Sequence, residues 1–275
     1  MEQAKLNQLK QTAAQLRLDI LEQVHAASSG HPGGSLSIAD IMAYLYFEEM
    51  NVNPADPKWE DRDRLVLSKG HTAPALYAAL AEKGFFSTDA LKTLRHVDSF
   101  LQGHPDMKGT PGVDMSTGSL GLGFSSACGM ALAAKLAGKT WRTYTIIGDG
   151  ESEEGQIWEA AMFAAHYKLD NLCAIFDWNG LQIDGPVAEV MNPTPHDAKL
   201  EAFGFNVISV DGHDFEQLEA AFAAAEACKG KPTAIIAKTV KGKGVSFMEN
   251  QVGWHGNAPS DEQYEIAVAE IKAAL

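Results

Sequence analysis

The sequence predicts an α/β fold with a mostly parallel sheet and helices on both faces, and two observations carry that prediction. Short β-branched or apolar runs at residues 143–147, 172–176, 205–210 and 233–237 alternate with helical patterns, and such alternation favours parallel strands joined by helical crossovers. The chain is 275 residues long with 45% hydrophobic and 21% charged residues, which suits one domain with a substantial core. No repeat or linker interrupts it, so residues 1–275 read as a single domain.

The elements follow in order. Leu6, Leu9, Ala13, Leu16, Ile20 and Val24 recur at steps of three or four and make one apolar stripe of a first helix. It ends near Ser28-Ser29-Gly30, and Pro32 breaks it. A second helix is expected over 37–50, and the Pro-, Asp- and Asn-rich segment 51–63 reads as loop. A helix follows Pro74, and Ser87 caps a short one. Residues 103–123 hold six glycines and two prolines, an irregular stretch of the kind that carries function. A small-residue helix over 124–136 precedes the strand 143–147. Gly148-Asp149-Gly150 and a helix to Tyr167 come next, then the strand 172–176. A helix over 215–227 separates the last two strands, and another spans 261–274.

Charge and cysteine content exclude some functions. Lys and Arg number 22 against 36 Asp and Glu, for a net charge of −14. That balance argues against a nucleic-acid or anionic-membrane surface as main partner. It also means that any anionic ligand must be neutralised locally. Cys128, Cys173 and Cys228 are too few and too scattered for a disulfide framework or a cysteine zinc site. No apolar run is long enough for a membrane span, and Met1–Lys10 lacks the layout of a signal peptide. A cytoplasmic location is the expectation.

The richest motif is Gly148-Asp149-Gly150 with Asn179 beyond the next strand. In a doubly wound sheet, ligands bind outside the carboxyl ends of the strands, so Asp149 and Asn179 can converge there. A carboxylate, an amide oxygen and a backbone carbonyl suit a hard cation such as Mg²⁺ or Ca²⁺. The helix after Gly150 is expected to turn its positive end to the same place. A bare Gly-Asp-Gly is more often a plain turn; the added Asn balances the two readings. Charged helix residues such as Glu154 and Glu159, and the lysines of Lys241-Gly242-Lys243-Gly244, usually face solvent, and the lysine loop reads as surface. An apolar residue such as Ile183 is more commonly core.

Gly148-Asp149-Gly150 with Asp177-Trp178-Asn179 resembles the thiamin diphosphate motif, and among those enzymes the chain resembles transketolase over nearly its whole length. The further flags are Ser28-Ser29-Gly30-His31-Pro32-Gly33, Leu67-Ser68-Lys69-Gly70-His71, Gly103-His104-Pro105, Thr117-Gly118-Ser119-Leu120-Gly121 and Trp254-His255-Gly256. The resemblance implies a thiamin diphosphate-binding fold. It implies that Asp149, the Asn179 side chain and the Leu181 carbonyl hold Mg²⁺, with Ca²⁺ and Mn²⁺ as alternatives, and that Gly150 and Asn179 lie by the diphosphate. Gly118, Ser119 and Leu120 would run along the aminopyrimidine, with Ile183 packed under the cofactor. His71 and His255 would lie by the diphosphate. His31 and His255 would act in proton transfer, and His104 would hold the donor's terminal hydroxyl. Protonated imidazoles would add positive charge. Glu154 would join a carboxylate chain at a dimer interface, with Glu159 as a second member.

The implied reaction is transfer of a two-carbon ketol unit from a ketose phosphate to an aldose phosphate, a step of pentose phosphate and carbohydrate metabolism. Full transketolases are more than twice as long; their middle, pyrimidine-binding domain completes the site, and it and the C-terminal domain are expected on a separate chain. The sequence therefore resembles the amino-terminal subunit of a split transketolase, expected to pair with a carboxy-terminal subunit as an α2β2 heterotetramer. The alternatives are the α subunit of a 2-oxo acid dehydrogenase, 1-deoxyxylulose-5-phosphate synthase and a non-catalytic cofactor-binding relative. Sugar specificity is expected to rest mainly on the partner chain.

Overall fold

A computed structural model describes residues 1–274; the final residue of the expected domain, Leu275, lies outside them. The chain opens with α1 (Gln3–Ala26), α2 (Pro32–Ser37) and α3 (Ala39–Tyr44), which runs into a wide turn at Leu45–Glu49. Strand β1 (Arg64–Leu67) and a tight turn at Gly70–Thr72 lead to α4 (Ala73–Lys83), and the irregular stretch that follows ends at α5 (Leu122–Leu136). Then come β2 (Thr143–Gly148), a 3₁₀ turn at Gly150–Glu153, α6 (Gly155–His166) and β3 (Leu172–Trp178). A two-residue hairpin, β4 (Leu181–Gln182) with β5 (Gly185–Pro186), precedes α7 (Val187–Val190) and α8 (His196–Phe203). The chain closes with β6 (Asn206–Asp211), α9 (Phe215–Ala227), β7 (Thr233–Lys238) and α10 (Asp261–Ala273).

The main sheet has five strands in the order β1-β2-β3-β7-β6, and every pairing is parallel. Alternate residues of its strands feed two cores. Leu65, Leu67, Tyr144, Ile146, Cys173, Ile175 and Ile235 pack on the face covered by α1, α3, α4 and α9. Val66, Ile147, Leu172, Ala174, Phe176 and Ala234 pack on the face covered by α5, α6 and α8. The centre of the sheet is therefore apolar on both sides, which is why its strands read as continuous hydrophobic runs.

Three expectations need correction. The single helix over 37–50 is interrupted at Ile38, which sits off the helical region at φ −103°, and its last turn is widened over Leu45–Glu49. Strand β1 is absent from the expected strands; its four residues are too few for a period to show. The helix following Gly150 begins only at Gly155, behind the 3₁₀ turn. Its dipole therefore starts a full turn farther along the chain than expected, and this weakens its claim on an anion at Gly150.

Candidate functional site

The carboxyl ends of β1, β2, β3 and β7 open into one cavity of about 600 Å³. Each end delivers a polar or charged group. Ser68 and Lys69 follow β1, Asp149 follows β2, Asn179 follows β3, and Lys241 lies three residues past β7.

At the floor, Lys69 and Asp177 form a buried ion pair at 2.5 Å. The Lys69 ammonium also donates to the Gly34 carbonyl at 2.9 Å, which ties α2 to the sheet. Asp177 accepts further bonds from Ser37 at 2.7 Å, from the Asn179 amide nitrogen at 3.0 Å and from Thr239. Burial alone would raise its pKa, but Lys69 and these donors outweigh it and hold the carboxyl below its ordinary range. Asp177 can only accept, so it turns the nitrogen of Asn179 inward. The Asn179 carbonyl oxygen takes the other side and accepts from the Leu181 amide at 3.1 Å.

Asp149 is only 2% exposed, and its bonds come from the backbone of Gly150 at 2.8 Å and Gly180 at 2.5 Å. Burial, aided by the neighbouring Asp177 charge, pushes its carboxyl up to about 7. A hard cation would relieve that penalty, and the oxygens of Asp149, Asn179 and Leu181 are the donors such a cation prefers. One positive group already settles there, since the Lys241 ammonium lies 3.4 Å from the Leu181 carbonyl. Among the described residues, no group of three or more His, Cys, Asp or Glu forms a metal cluster; the candidate set relies on an amide and a carbonyl instead. Beside it, a Cβ on Gly150 would stand 2.6 Å from Cβ of Gln182, so only glycine allows this close approach. The residues present thus fit both a hard cation and an anionic group beside it.

Glu151 staples the loops together. Its buried carboxylate accepts from the Ser68 hydroxyl at 2.5 Å, the Gly121 amide at 2.8 Å and the Gly148 amide at 2.9 Å.

The four motif histidines cluster together, and three of them, His31, His71 and His255, line the cavity. His31 lies edge-on to His71 at 5.2 Å and to His255 at 5.5 Å, and His71 stacks on His255 at 5.1 Å. His104 stands behind, 6.5 Å from His31. All four sit in turns or loops at element boundaries. Burial, then Arg95, His104 and Lys241, lower the His31 pKa to about 4. Burial, then Lys241 and His31, lower His255 to about 3. Burial likewise lowers His71, with Lys69 as the next cause, and His104, with Arg95. The expected imidazolium charge is therefore corrected: these rings are neutral near pH 7.

The positive charge comes from Lys241, whose expected place on the surface is also corrected. It is 3% exposed, and its ammonium lies 3.1 Å from Nδ1 of His255. Burial lowers its pKa to about 8, which still leaves it mostly charged at pH 7. Its loop is pinned on both sides. The Val240 amide donates to His213 at 2.9 Å, and Arg17 donates to the Lys243 carbonyl at 3.1 Å. His213 and Arg17 meet on Asp40, the former at 2.6 Å.

Of the other expected residues, Gly118, Leu120 and Glu154 line the cavity, while Ser119 and His104 do not. Ile183 is 61% exposed at the rim, so the core reading of it fails. Glu154 and Glu159 are exposed on this chain. Arg95, Glu151 and the Lys69–Asp177 pair are absent from the expected site residues. Only Lys69 and Asp177, inside the quoted motifs, carry any signal in the sequence.

Comparison with known proteins bears on this geometry. A chain from Clostridium sp. called 6-deoxy-6-sulfo-D-fructose transketolase subunit SqwG is 48% identical over 96% of this chain and 96% of its own length. A subunit of the apulose-4-phosphate transketolase of Phocaeicola vulgatus is 44% identical over 94% of this chain and 92% of its own. The crystal structure of transketolase from Campylobacter jejuni superposes with a TM-score of 0.91 at 37% identity, and the match covers 96% of this chain but 43% of that one. The family described as "Transketolase, thiamine diphosphate binding domain" matches residues 8–274, and the chain belongs to it.

Proposed function

We propose that this chain is the cofactor-binding half of a two-chain transketolase that moves a two-carbon ketol unit from a ketose phosphate to an aldose phosphate. The observation that carries the reading is the meeting, in one cavity, of a hard-cation donor set with three neutral imidazoles, His31, His71 and His255, and a fourth, His104, behind them. Asp149, the Asn179 oxygen and the Leu181 carbonyl hold Mg²⁺. Gly150 lets the diphosphate approach, and Lys241 offsets its charge. Thiamin diphosphate, when bound there, supplies the nucleophilic carbon that carries the two-carbon unit. His71 and His255 face the diphosphate side. His31, His104 and His255 hydrogen-bond the sugar hydroxyls and hold the protons that move as the carbon–carbon bond breaks and reforms.

Two observations support a partner chain. The two relatives of similar length are each named as subunits. Helices α5 and α6 also turn apolar side chains outward, with Leu122 52%, Met162 58% and Phe163 37% exposed, and Tyr167 just past α6 is 47% exposed, side chains of the kind a partner covers. We assign the aminopyrimidine pocket and the sugar-phosphate grip to that second, carboxy-terminal chain. The assembly is an α2β2 heterotetramer with Glu154 at its interface, in the cytoplasm. Among the described residues no helix is long and apolar enough to cross a membrane.

The test mixes the purified chain with thiamin diphosphate, Mg²⁺ and a panel of ketose phosphates and sulfonated ketoses, with and without the candidate partner. Ketol transfer is expected only with both chains, and chelation of the metal abolishes it. Turnover by the single chain would overturn the two-chain reading. Silence of the reconstituted pair across the panel would overturn ketol transfer.

A further inference from the structure

Arg95 has no part in the reading above, yet it is held from several sides behind the cavity. Its backbone sits at φ +63°, a left-handed conformation that a non-glycine residue adopts only where its surroundings hold it there. The Leu101 carbonyl accepts its amide at 2.9 Å. Its guanidinium lies against Gly103, where any Cβ would stand 3.0 Å from Nε. That planar group donates through Nη1 to the Ser29 hydroxyl at 2.7 Å. Its Nη2 lies 3.3 Å from Nδ1 of His31.

The direction of this last contact is not free. Guanidinium has five N–H donors, no acceptor and no accessible neutral form. Nδ1 of His31 must therefore be the acceptor and carry no proton. In a neutral imidazole the proton then resides on Nε2. The other cations and imidazoles around His31 are Lys241, His71, His104 and His255, and none of them bonds its Nδ1.

We propose that Arg95 is a positioning residue that locks His31 in the Nε2–H tautomer. His31 then offers the cavity a hydrogen-bond donor rather than a basic lone pair. The inference rests on the ketol-transfer reading for its purpose, and it refines that reading. Through this hydrogen bond His31 stabilises the oxygen on which negative charge develops, while any group that gives a proton to the sugar or removes one lies elsewhere. Gly103 and Ser29 complete the device: one leaves room for the guanidinium and the other fixes its second edge.

The test reads the tautomer directly. The full chain is labelled with ¹⁵N-histidine, and long-range proton–nitrogen correlation spectra are recorded, with His31 assigned from a His31→Gln variant. The parent is expected to show protonated Nε2 and bare Nδ1 at neutral pH. A protonated Nδ1 would overturn the proposal from this spectrum alone, without any variant of Arg95. Arg95→Met should shift His31 toward the Nδ1–H form and raise its pKa, whereas Arg95→Lys, which can still donate, should retain the parent tautomer. An unchanged tautomer in a folded Arg95→Met chain would remove Arg95 from the role. In the reconstituted pair, Arg95→Met should lower kcat by about a hundredfold, the scale of one lost hydrogen bond to a developing oxyanion, with thiamin diphosphate affinity unchanged and partial rescue by Arg95→Lys. If the parent pair transfers no ketol unit, the functional reading falls while the tautomer result stands.

Discussion

Two residues set the character of the cavity. Asp177 balances a lysine that is 2% exposed, so Asp177→Asn strands a buried ammonium. The expected cost is about 3–5 kcal/mol, read as a drop in the urea midpoint at constant slope. A change below about 1 kcal/mol would mean that the pair contributes no more than a surface bridge. Lys241 offers the spare positive charge in an acidic chain. Lys241→Met should weaken thiamin diphosphate binding by about tenfold to a hundredfold, the scale of a lost charge-assisted contact, with Lys241→Arg intermediate; fluorescence titration measures it. Asp149, Asn179 and the four histidines stand out in the sequence because they fall in dense glycine- and proline-bounded motifs. Lys241 does not, because a lysine flanked by glycine has the composition of a solvated loop. Contacts with Gly33, Leu181 and His255 bury it, and none of these is near it in sequence. Arg95 carries no motif at all; its role is visible only in a left-handed backbone and a 3.3 Å contact.

At the scale of elements, the site depends on loops that the strands deliver but do not hold. Thr239–Gly244 leaves β7 and is held by side chains of α1, α3 and the turn before α9, through Arg17, Asp40 and His213. His213→Ala removes the acceptor for the Val240 amide and a partner of Asp40. It should loosen this loop, seen as faster amide exchange at residues 240–243, and weaken thiamin diphosphate binding while β1–β3 keep their protection. Equal loss of protection throughout the sheet would show that His213 serves the fold rather than the loop. The α9 range is legible in full, because an apolar period bounded by the Asp214 cap and Cys228 leaves little choice. The break at Ile38 is not, because nothing in Ser37-Ile38-Ala39 opposes a continuous helix; α2 and α3 are turned apart by what they pack against.

For the molecule as a whole, buried neutral histidines couple stability to acidity. His31 and His196 have native pKa values lowered from 6.5 to about 4, in each case chiefly by burial. Between pH 6.5 and about 4 the unfolded chain binds protons that the native chain refuses, so this contribution is whole above pH 6.5 and is lost as pH falls. The parent should lose more stability from about pH 7 to about pH 5 than a His31→Asn, His196→Gln variant, measured by denaturant melts at both values. Equal losses would show that other groups govern the acid limb. The parallel sheet and its two covering layers are legible from alternation alone. The charge of −14 says nothing of where a positive group sits; that group, Lys241, is found only by its burial beside Leu181 and His255.

The outward apolar faces of α5 and α6 bear on supply as well as on architecture. Leu122, Met162, Phe163 and Tyr167 face water on the lone chain, and such surface finds a cover by mass action. A cell that makes this chain in excess leaves the surplus to self-association or proteolysis. If the second chain of the two-chain reading is what covers these helices, the abundance of this chain follows that of its partner, and production of the two is matched in dose and in time.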